Sequence, residues 1–528
     1  MPKTGSPLSR GITLQDSTQD KAAARSSVVV MVCTLISRVL GIVRARVIGS
    51  IFGASGIADV INFTFNIPNN FRKIFAEGAI NASIIPYFSR LIESDDTKTT
   101  KRLFALLCTY QTVILLPLVL VSYFYGEPLL SFFSDFDAPK LALGARLLPF
   151  FMVYLLTISI GSVFNGLLHC HKSFFHSHAA PLLFSLSVII GVQLLHPYFG
   201  AMSMAYSALV GGLLQGTYSY LAVRRYGYRL KIAFKTKGTP FKPLMKSWAQ
   251  MVISSIILVI AQMVAFWFAS SLTVGSVTAF SNSLIFWQAP YGIFFNAVVA
   301  VSFPAMSRAF GMGCHDELQK VSREALINLL TFLLPSTIIL FALSNESVSS
   351  VLQTGNYTLA DANLTAHILR YYLVGMIFAS WFNLLQRVGY SAERHRTMTR
   401  VTALMSIFDI ALMWLFIRLG LGIRSLPLAS IFSFALCFVI LAYILRDIYP
   451  LYKDKELYRG VLRVTLANIP LLALSVLYKL MGLRWHETGS TFSNLALTVI
   501  LGSVGVVVTL VLYAMTDIPF LRLLKGKK

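Results

Sequence analysis

Three arginines lie inside an apolar run near the start of the chain, and they are its first candidates for binding chemistry. The run extends from Val28 to Phe52 and contains Arg38, Arg44 and Arg46. If the run crosses a membrane, each charge at mid-bilayer costs roughly 2.5–3.5 kcal/mol, so the arginines should face a protein interior or a wet cavity. The run contains no acid to pair with Arg38. Because guanidinium groups bind phosphate bidentately, we predict that Arg38 is a phosphate ligand.

The next apolar run carries a polar face. Its members follow the three- and four-residue spacing of one side of a helix: Asp59, Asn62, Asn66, Asn69 and Lys73. Arg72 and Glu77 lie beside the end of this stripe. The stripe predicts the wall of a cavity. The alternative is internal salt bridging, of Asp59 with an arginine of the first run or of Glu77 with Lys73, and for Glu77 we favour this alternative.

Other polar residues give weaker indications of a functional site. Asp409 is the acid in the middle of the second half's apolar runs, where it could bind a cation or a proton, or serve as a hydrogen-bonded structural residue. The tract HCHKSFFHSH (169–178) straddles a short loop, and H-x-H is poor spacing for a helical metal site, so we expect interfacial histidines. The five cysteines form no CxxC pair. We expect no metal, no disulfide framework and no cofactor.

Composition identifies the elements that must position these residues. Hydrophobic residues make up 56% of the 528 residues, only 13% are charged, and the mean hydropathy is +0.69. A soluble protein carries roughly a quarter charged residues. The apolar residues recur in blocks of about 20, which is the length of a membrane-crossing helix. We predict an all-α polytopic membrane protein with about 14 transmembrane helices.

Polar breaks between the apolar blocks delimit the predicted spans. These are 27–51, 57–90, 103–124, 145–169, 178–197, 202–223, 247–271, 275–307, 324–344, 366–389, 401–418, 425–445, 460–480 and 492–515. With the N-terminus inside, 33 of the 45 lysines and arginines fall in cytoplasmic segments and 7 on the opposite side. This bias predicts that both termini are cytoplasmic. We therefore attribute the net charge of +23 to membrane topology and contact with anionic lipid, and not to nucleic-acid binding.

An internal repeat divides the spans into two lobes. Spans 2 and 8 each run from a proline, Pro68 or Pro290, to a P-x-x-S-R sequence that ends at Arg90 or Arg308. Duplication is common in transporters, and the paired prolines predict bent helices around a shared central space. The predicted organisation is a disordered tail, a first six-helix lobe, a basic linker, a pseudo-symmetric second lobe, two appended helices and a basic tail. Their ranges are 1–26, 27–223, 224–246, 247–445, 446–515 and 516–528.

The segment 37–86, SRVLGIVRARVIGSIFGASGIADVINFTFNIPNNFRKIFAEGAINASIIP, closely resembles the signature of the MurJ/MviN family. The matched pieces are SR-x-LG-xx-R, FG, the aspartate of span 2 and P-N-xx-R-[RK]-IFAEGA. Members of this family are lipid II flippases of the multidrug/oligosaccharidyl-lipid/polysaccharide exporter superfamily. RKIFAEGA is specific to the family within that superfamily. The match covers about 60 residues, and length and topology agree over the rest.

The resemblance implies two lobes around a central cationic cavity that alternates between inward- and outward-facing states. It implies that the appended helices form a groove for the lipid tail. The implied cargo is lipid II, an undecaprenyl-pyrophosphate-linked disaccharide-pentapeptide. Transferred by motif, the predicted pyrophosphate ligands are Arg38, Arg44 and Arg72, and the predicted cavity or conformational residues are Asp59, Lys73, Glu77, Asn66 and Asn69.

The sequence departs from the family in the second lobe. Many members carry an Asp-Arg pair five to six residues before the proline of span 8, where this chain has Leu284 and Ile285. Some members bind sodium through acids in spans 7 and 11. Span 7 here has Gln262 and no acid, which argues against a sodium site at Asp409.

We therefore expect a transporter that flips lipid II to the outer leaflet of the bacterial inner membrane for cell-wall synthesis. The chain contains no G-x-x-x-x-G-K-[ST] motif, so we expect the membrane potential or an ion gradient to drive it. Expected partners are lipid II, membrane lipids and cell-wall synthesis or division proteins, with no nucleic acid. The alternatives are export of another polyprenyl-linked glycan or amphiphile, a membrane enzyme acting on the lipid-linked sugar, and a non-transporting paralogue.

Overall fold

A computed structural model describes residues 8–483, 485–488, 491–516 and 518. Of some of these residues it describes only the backbone: 8–28, 76–83, 250, 253, 254, 486, 488 and 491. Of the described residues, 86% are helical and none lies in a strand. The helices are α1 (Leu8–Phe52), α2 (Gly56–Arg72), α3 (Gly78–Glu93), α4 (Thr97–Phe124), α5 (Gly126–Phe133), α6 (Ala138–Cys170), α7 (Phe174–Phe199), α8 (Met202–Arg224), α9 (Phe241–Ser270), α10 (Ser276–Gly311), α11 (His315–Ala342), α12 (Ser344–Leu352), α13 (Leu359–Ser391), α14 (His395–Arg418), α15 (Ser425–Ile444), α16 (Lys455–Ala467), α17 (Ile469–Leu480), α18 (Trp485–Thr488) and α19 (Thr491–Met515).

The helices confirm the predicted polytopic, all-α membrane fold. Within the described residues, 10 helices are long and apolar enough to cross a membrane. The other four predicted spans also coincide with helices. Span 1 coincides with α1, span 2 with α2 and α3 together, span 6 with α8 and span 7 with α9. Span 13 consists of α16 and α17, which are separated at Asn468, and Pro470 is the second residue of α17.

The first helix is longer than its predicted span. We expected a disordered tail up to residue 26, but α1 begins at Leu8 and continues without a break to Phe52. The helix therefore extends beyond the predicted boundary at residue 26, and the disorder of the tail stays a prediction. The hydropathy pattern locates the membrane-crossing part of a helix but not its end in water. The stretch Ala22–Ala24 consists of the strongest helix-forming residue, which favours continuation of the helix beyond the apolar run.

The second span is interrupted by a π-helical turn. Residues Lys73–Glu77 form this turn between α2, which contains Pro68, and α3, which contains Pro86. A π-turn shifts the backbone hydrogen-bond register by one residue and leaves a carbonyl to be satisfied from outside the helix. The side-chain amide of Gln111 on α4 donates to the Phe75 carbonyl at 2.8 Å.

The chain forms two compact units. The first comprises Met1–Val47, Thr64–Glu127 and Gly144–Ser255. Its largest helix pairing is α7 against α8, and a buried apolar cluster joins α3, α4, α6, α8 and the start of α9. Phe88, Phe104, Leu167 and Leu244 are all fully buried in this cluster. Tyr228 of the basic linker is buried there too, so this part of the linker is fixed against the helices.

The second unit comprises Ile48–Phe63, Pro128–Leu143 and Ile256–Lys528. Its helices α10, α11, α13, α14 and α15 pack on one another, with α13 against both α10 and α15. Helix α13 begins with a capping box, in which Thr358 and Asp361 satisfy each other's backbone N–H groups. The end of α1 is tied to this unit, because Asn356 donates from its backbone to the Ser50 carbonyl and from its side chain to the Ile51 carbonyl.

The appended helices pack against α11 and α12 of the second unit. Tyr513 of α19 is buried and donates to the Thr331 carbonyl of α11 at 2.8 Å. Asn468, at the break between α16 and α17, donates to the Tyr513 hydroxyl at 2.9 Å. Through these bonds, α16, α17 and α19 are fixed to the second unit.

Candidate functional site

Two of the predicted phosphate ligands lie close together in the first unit. The guanidinium of Arg44 on α1 lies 5.4 Å from the centre of the Phe184 ring on α7. Arg72, at the end of α2, is near enough to Arg44 for the two positive charges to repel each other. Among the described residues, no carboxylate lies within ion-pair distance of Arg44. Two neighbouring cations in an enclosed site favour the binding of an anion.

An aromatic wall lies beside Arg44. The Phe184 ring stacks on Tyr154 at 4.6 Å and on Phe65 at 6.1 Å, and Phe65 contacts Phe151 at 5.3 Å. The wall combines side chains of α2, α6 and α7, so three helices fix the position of one arginine. A cation held over an aromatic face keeps its N–H groups at the ring edge free to bind an anion.

The amides on α2 orient the cations. Asn69 accepts a hydrogen bond from Arg72 Nε at 3.2 Å, and Asn70 accepts one from Lys73 Nζ at 3.1 Å. Asn66 lies one turn earlier on the same helix and is half-buried. The sequence analysis includes Asn66 and Asn69 among the cavity residues but not Asn70, because Asn70 does not follow the three- and four-residue spacing of the polar face. The three-residue spacing between each amide and its cation was the available signal.

Two other predicted residues of this region, Arg38 and Glu77, are not part of the pair formed by Arg44 and Arg72. Arg38 is exposed on α1, six residues before Arg44. The backbone of Glu77 ends the π-turn, but its side chain lies outside the described residues. The predicted pairing of Glu77 with Lys73 therefore stays a prediction.

Asp59 caps a helix of the second unit. Its two carboxylate oxygens accept hydrogen bonds from the backbone N–H groups of Gly275 at 2.6 Å and Thr278 at 2.8 Å, and from the Thr278 hydroxyl at 2.7 Å. Only 3% of Asp59 is exposed. Gly275 has a φ of +89°, a conformation that glycine adopts without strain. The carboxylate thus joins the start of α2 to the start of α10, and neutralises the positive end of the α10 dipole.

The second acid, Asp409, lies among α13, α14 and α15. The Ser430 hydroxyl donates to Asp409 Oδ1 at 3.1 Å, and Tyr372 lies near enough to interact with this carboxylate electrostatically. No lysine or arginine lies within ion-pair distance of this carboxylate in the described part of the chain. An acid within a predicted membrane span that is bonded by a hydroxyl group and has no cation beside it in the described residues is a candidate for taking up a proton or a cation.

The sequence did not indicate a third buried acid, Glu346. It is 1% exposed, accepts from the Tyr478 hydroxyl at 2.9 Å, and lies 3.6 Å from Lys479 Nζ. Arg370 of α13 is close enough to interact with it electrostatically. These residues fall at the ends of apolar runs, where charges are common, so hydropathy gave no signal for the network. It ties α17 to α12 and α13.

The histidine tract forms aromatic and hydroxyl contacts. His171 lies 3.1 Å from the Tyr228 hydroxyl, and His176 lies 2.8 Å from the Tyr218 hydroxyl. Burial lowers the pKa of His171 and raises the pKa of Tyr228 to about 12. No group of three or more histidine, cysteine, aspartate or glutamate side chains that could hold a metal ion occurs among the described residues.

Comparison with known proteins places this geometry in context. The family model described as "Lipid II flippase MurJ" matches residues 48–500. Two relatives are both named "Probable lipid II flippase MurJ". The one from Borreliella burgdorferi is 28% identical over 493 residues, covering 93% of this chain and 96% of the relative. The one from Bdellovibrio bacteriovorus is 26% identical over 497 residues, covering 91% and 92%.

Solved structures agree on the fold. A structure titled "Lipid II flippase MurJ, inward closed conformation" aligns with a TM-score of 0.76 and 21% identity, covering 92% of this chain and 98% of that one. An inward-facing multidrug resistance MATE family transporter of the MOP superfamily aligns with a TM-score of 0.67 and 12% identity, covering 81% and 99%.

Proposed function

Because the chain belongs to the lipid II flippase MurJ family, we propose that Arg44 and Arg72 bind the pyrophosphate of lipid II while the protein flips this lipid across the membrane. The observation that carries the assignment is the closeness of these two arginines beside the Phe184 ring. The chain is a multi-pass membrane protein with a transport role. It acts in the cytoplasmic membrane with both termini inside, as the lysine and arginine bias supports.

The chemistry of the site suits a pyrophosphate. A bound anion relieves the repulsion between the two cations, and each planar guanidinium offers two parallel N–H groups to phosphate oxygens. The hydrogen bond from Arg72 to Asn69 sets the direction of that side chain before the ligand arrives. Arg38, exposed on the same helix as Arg44, makes first contact with the anion. Alternating access then moves the headgroup from the cytoplasmic to the outer side.

Asp59 serves as a conformational residue in this proposal. Its three hydrogen bonds hold the starts of α2 and α10 together. Because α2 carries Arg72 at its other end, movement of α2 during transport pivots near this carboxylate. Asp59 therefore positions the binding site without contacting the anion.

Asp409 provides the coupling in this proposal. The Ser430 hydroxyl stabilises the carboxylate without neutralising its charge, so a proton can bind and leave. One charge moved across 100 mV releases about 2.3 kcal/mol, which suffices to bias a transport cycle. With Asp409→Asn, flipping should no longer respond to an imposed pH gradient, whereas Asp361→Asn, at the exposed cap of α13, should retain the response. A full response in Asp409→Asn would contradict the coupling role.

The binding proposal is tested by flipping of labelled lipid II in proteoliposomes. Arg44→Ala and Arg38→Ala should abolish flipping. Arg44→Lys should flip lipid II little faster than Arg44→Ala, because lysine keeps the positive charge but cannot bind phosphate bidentately. Arg418→Ala is the matched control, since Arg418 is an exposed membrane arginine that also lies over an aromatic ring, Trp414. Flipping at the parent rate by Arg44→Ala would overturn the assignment.

A further inference from the structure

A pocket lined by apolar side chains lies in the first unit, separate from the arginine site. Its walls come from the π-turn, α3, α4 and the first two turns of α9. Phe75, Leu107, Tyr110, Leu244 and Trp248 contribute the main surfaces. Gln111 also borders the pocket, but its amide is bonded to the Phe75 carbonyl. Such a lining suits a hydrocarbon chain better than a polar solute.

The pocket lies at a membrane depth that a lipid tail can reach. Its α4 residues, from Leu107 to Ile114, fall in the predicted span 103–124, toward the predicted cytoplasmic end. Ile114 is 39% exposed, and Leu116 beyond it is 43% exposed. The rim is therefore open on the side of α4 that presents apolar residues outward, as expected for contact with lipid.

One polar group in the pocket wall has no partner. Trp248 Nε1 is buried and has no hydrogen-bond acceptor in the described part of the chain. Buried indole N–H groups nearly always find an acceptor, and tryptophans at membrane interfaces find it in lipid ester or phosphate oxygens. A ligand with an acceptor at the base of an apolar chain would satisfy this group.

The surface beside the pocket is basic. Lys242 and Lys246 lie on α9, one turn apart and next to the lining residues, and both are exposed. Both belong to the basic linker, residues 224–246, which contains eight lysines and arginines in all and no acid. Its extended part is held to α4, because Ala233 N donates to Thr109 Oγ1 and Arg102 donates to the Lys235 carbonyl. The basic surface therefore has a fixed position relative to the pocket.

We propose that this pocket binds a segment of one acyl chain of an anionic phospholipid from the cytoplasmic leaflet, with the phosphate headgroup held by Lys242 and Lys246. The glycerol ester lies at Trp248. The pocket wall includes Phe75 of the π-turn that follows Arg72, so occupancy also stabilises the turn beside the proposed pyrophosphate ligand. This last consequence rests on the proposed function, whereas lipid binding itself does not.

The test measures fluorescence quenching by brominated lipids in nanodiscs that contain the full chain. Phosphatidylglycerol and phosphatidylcholine, each brominated on the acyl chains, are titrated at equal mole fractions. The difference between the parent and Trp248→Phe isolates the signal of this residue among the 6 tryptophans. Brominated phosphatidylglycerol should quench the Trp248 signal at a lower mole fraction than brominated phosphatidylcholine.

Two sets of variants separate the headgroup from the tail. Lys242→Gln with Lys246→Gln should raise the half-quenching fraction of phosphatidylglycerol roughly five- to thirtyfold, since each lysine near the surface strengthens anionic lipid binding severalfold. The control is Lys320→Gln with Lys455→Gln, two exposed lysines of the second unit. Ile114→Phe should fill the pocket rim and reduce quenching by both lipids, while Leu116→Phe should not. All of these positions are at least partly exposed, so the variants should fold.

Three results would overturn the proposal. One is equal quenching by the two lipids that does not change in the lysine variants. Another is unchanged quenching in Ile114→Phe. The third is relief of quenching by undecaprenyl pyrophosphate but not by unlabelled phosphatidylglycerol, which would assign the pocket to the substrate's tail. None of these measurements depends on flipping, so the lipid site and the proposed function fail or succeed separately.

Discussion

The two spans related by the internal repeat have different structures. Span 2 consists of α2, a π-helical turn and α3, whereas span 8 is the single helix α10 of 36 residues. Both contain two prolines, so proline alone does not determine where the helix is interrupted. The interruption lies beside Gln111, whose side chain satisfies a carbonyl of the turn. We infer that an external partner for the freed carbonyl stabilises the π-turn.

The two spans also differ in chemistry. The end of α2 presents Arg72 and Lys73 with asparagine partners. Helix α10 presents a ladder of stacked rings, with Trp287 and Tyr291 4.6 Å apart and Tyr291 and Phe295 5.0 Å apart. Only the first copy thus carries cations between its two prolines.

The first prediction concerns the arginines of the two lobes. Arg72→Ala should slow lipid II flipping about thirtyfold or more, because losing one partner of a desolvated charged hydrogen bond costs about 2–5 kcal/mol. Arg387→Ala in α13 should change the rate less than about threefold, since Arg387 is exposed and lies over the Phe303 and Tyr390 rings. Equal losses in both variants would show that the second lobe contributes a cation to the site after all.

The second prediction concerns Asp59, which joins the starts of the two spans. Asp59→Ala should lower the free energy of unfolding by about 2–4 kcal/mol, because it removes a helix cap and leaves buried donors of α10 unsatisfied. The measurement is unfolding of the purified protein in detergent. Asp137→Asn is the control, because it removes the charge paired with Lys140 but keeps a side-chain oxygen at the start of α6, and it should change stability by less than about 0.5 kcal/mol. A stability unchanged by Asp59→Ala would exclude the capping role.

The third prediction concerns the π-turn. Gln111→Leu should lower the free energy of unfolding by about 1–2 kcal/mol, because the Phe75 carbonyl loses its donor. Ser302→Ala in α10 should have a smaller effect, since Ser302 bonds the Val298 carbonyl of its own helix. Similar losses in the two variants would mean that the turn does not depend on Gln111.

Part of this arrangement follows from the sequence. Hydropathy located the spans, and the spacing from Asp59 to Lys73 identified the polar face of α2. The π-turn at Lys73–Glu77 could not be predicted, because it depends on a glutamine from another helix. The three hydrogen bonds of Asp59 were also missed, since their donors lie more than 200 residues along the chain. The closeness of Arg44 to Phe184 likewise depends on packing between distant segments.

The last and smallest expected effect tests whether the proline of the second span is passive. Pro290→Ala should change the free energy of unfolding by less than about 1 kcal/mol, because membrane helices accommodate proline through neighbouring groups and α10 is continuous through this position. Flipping should remain within about twofold of the parent, since Pro290 lies in the copy without the cations. If Pro290→Ala unfolds like the parent but no longer flips lipid II, α10 must bend at Pro290 during transport. The asymmetry between the two spans would then lie in their movement as well as in their charge.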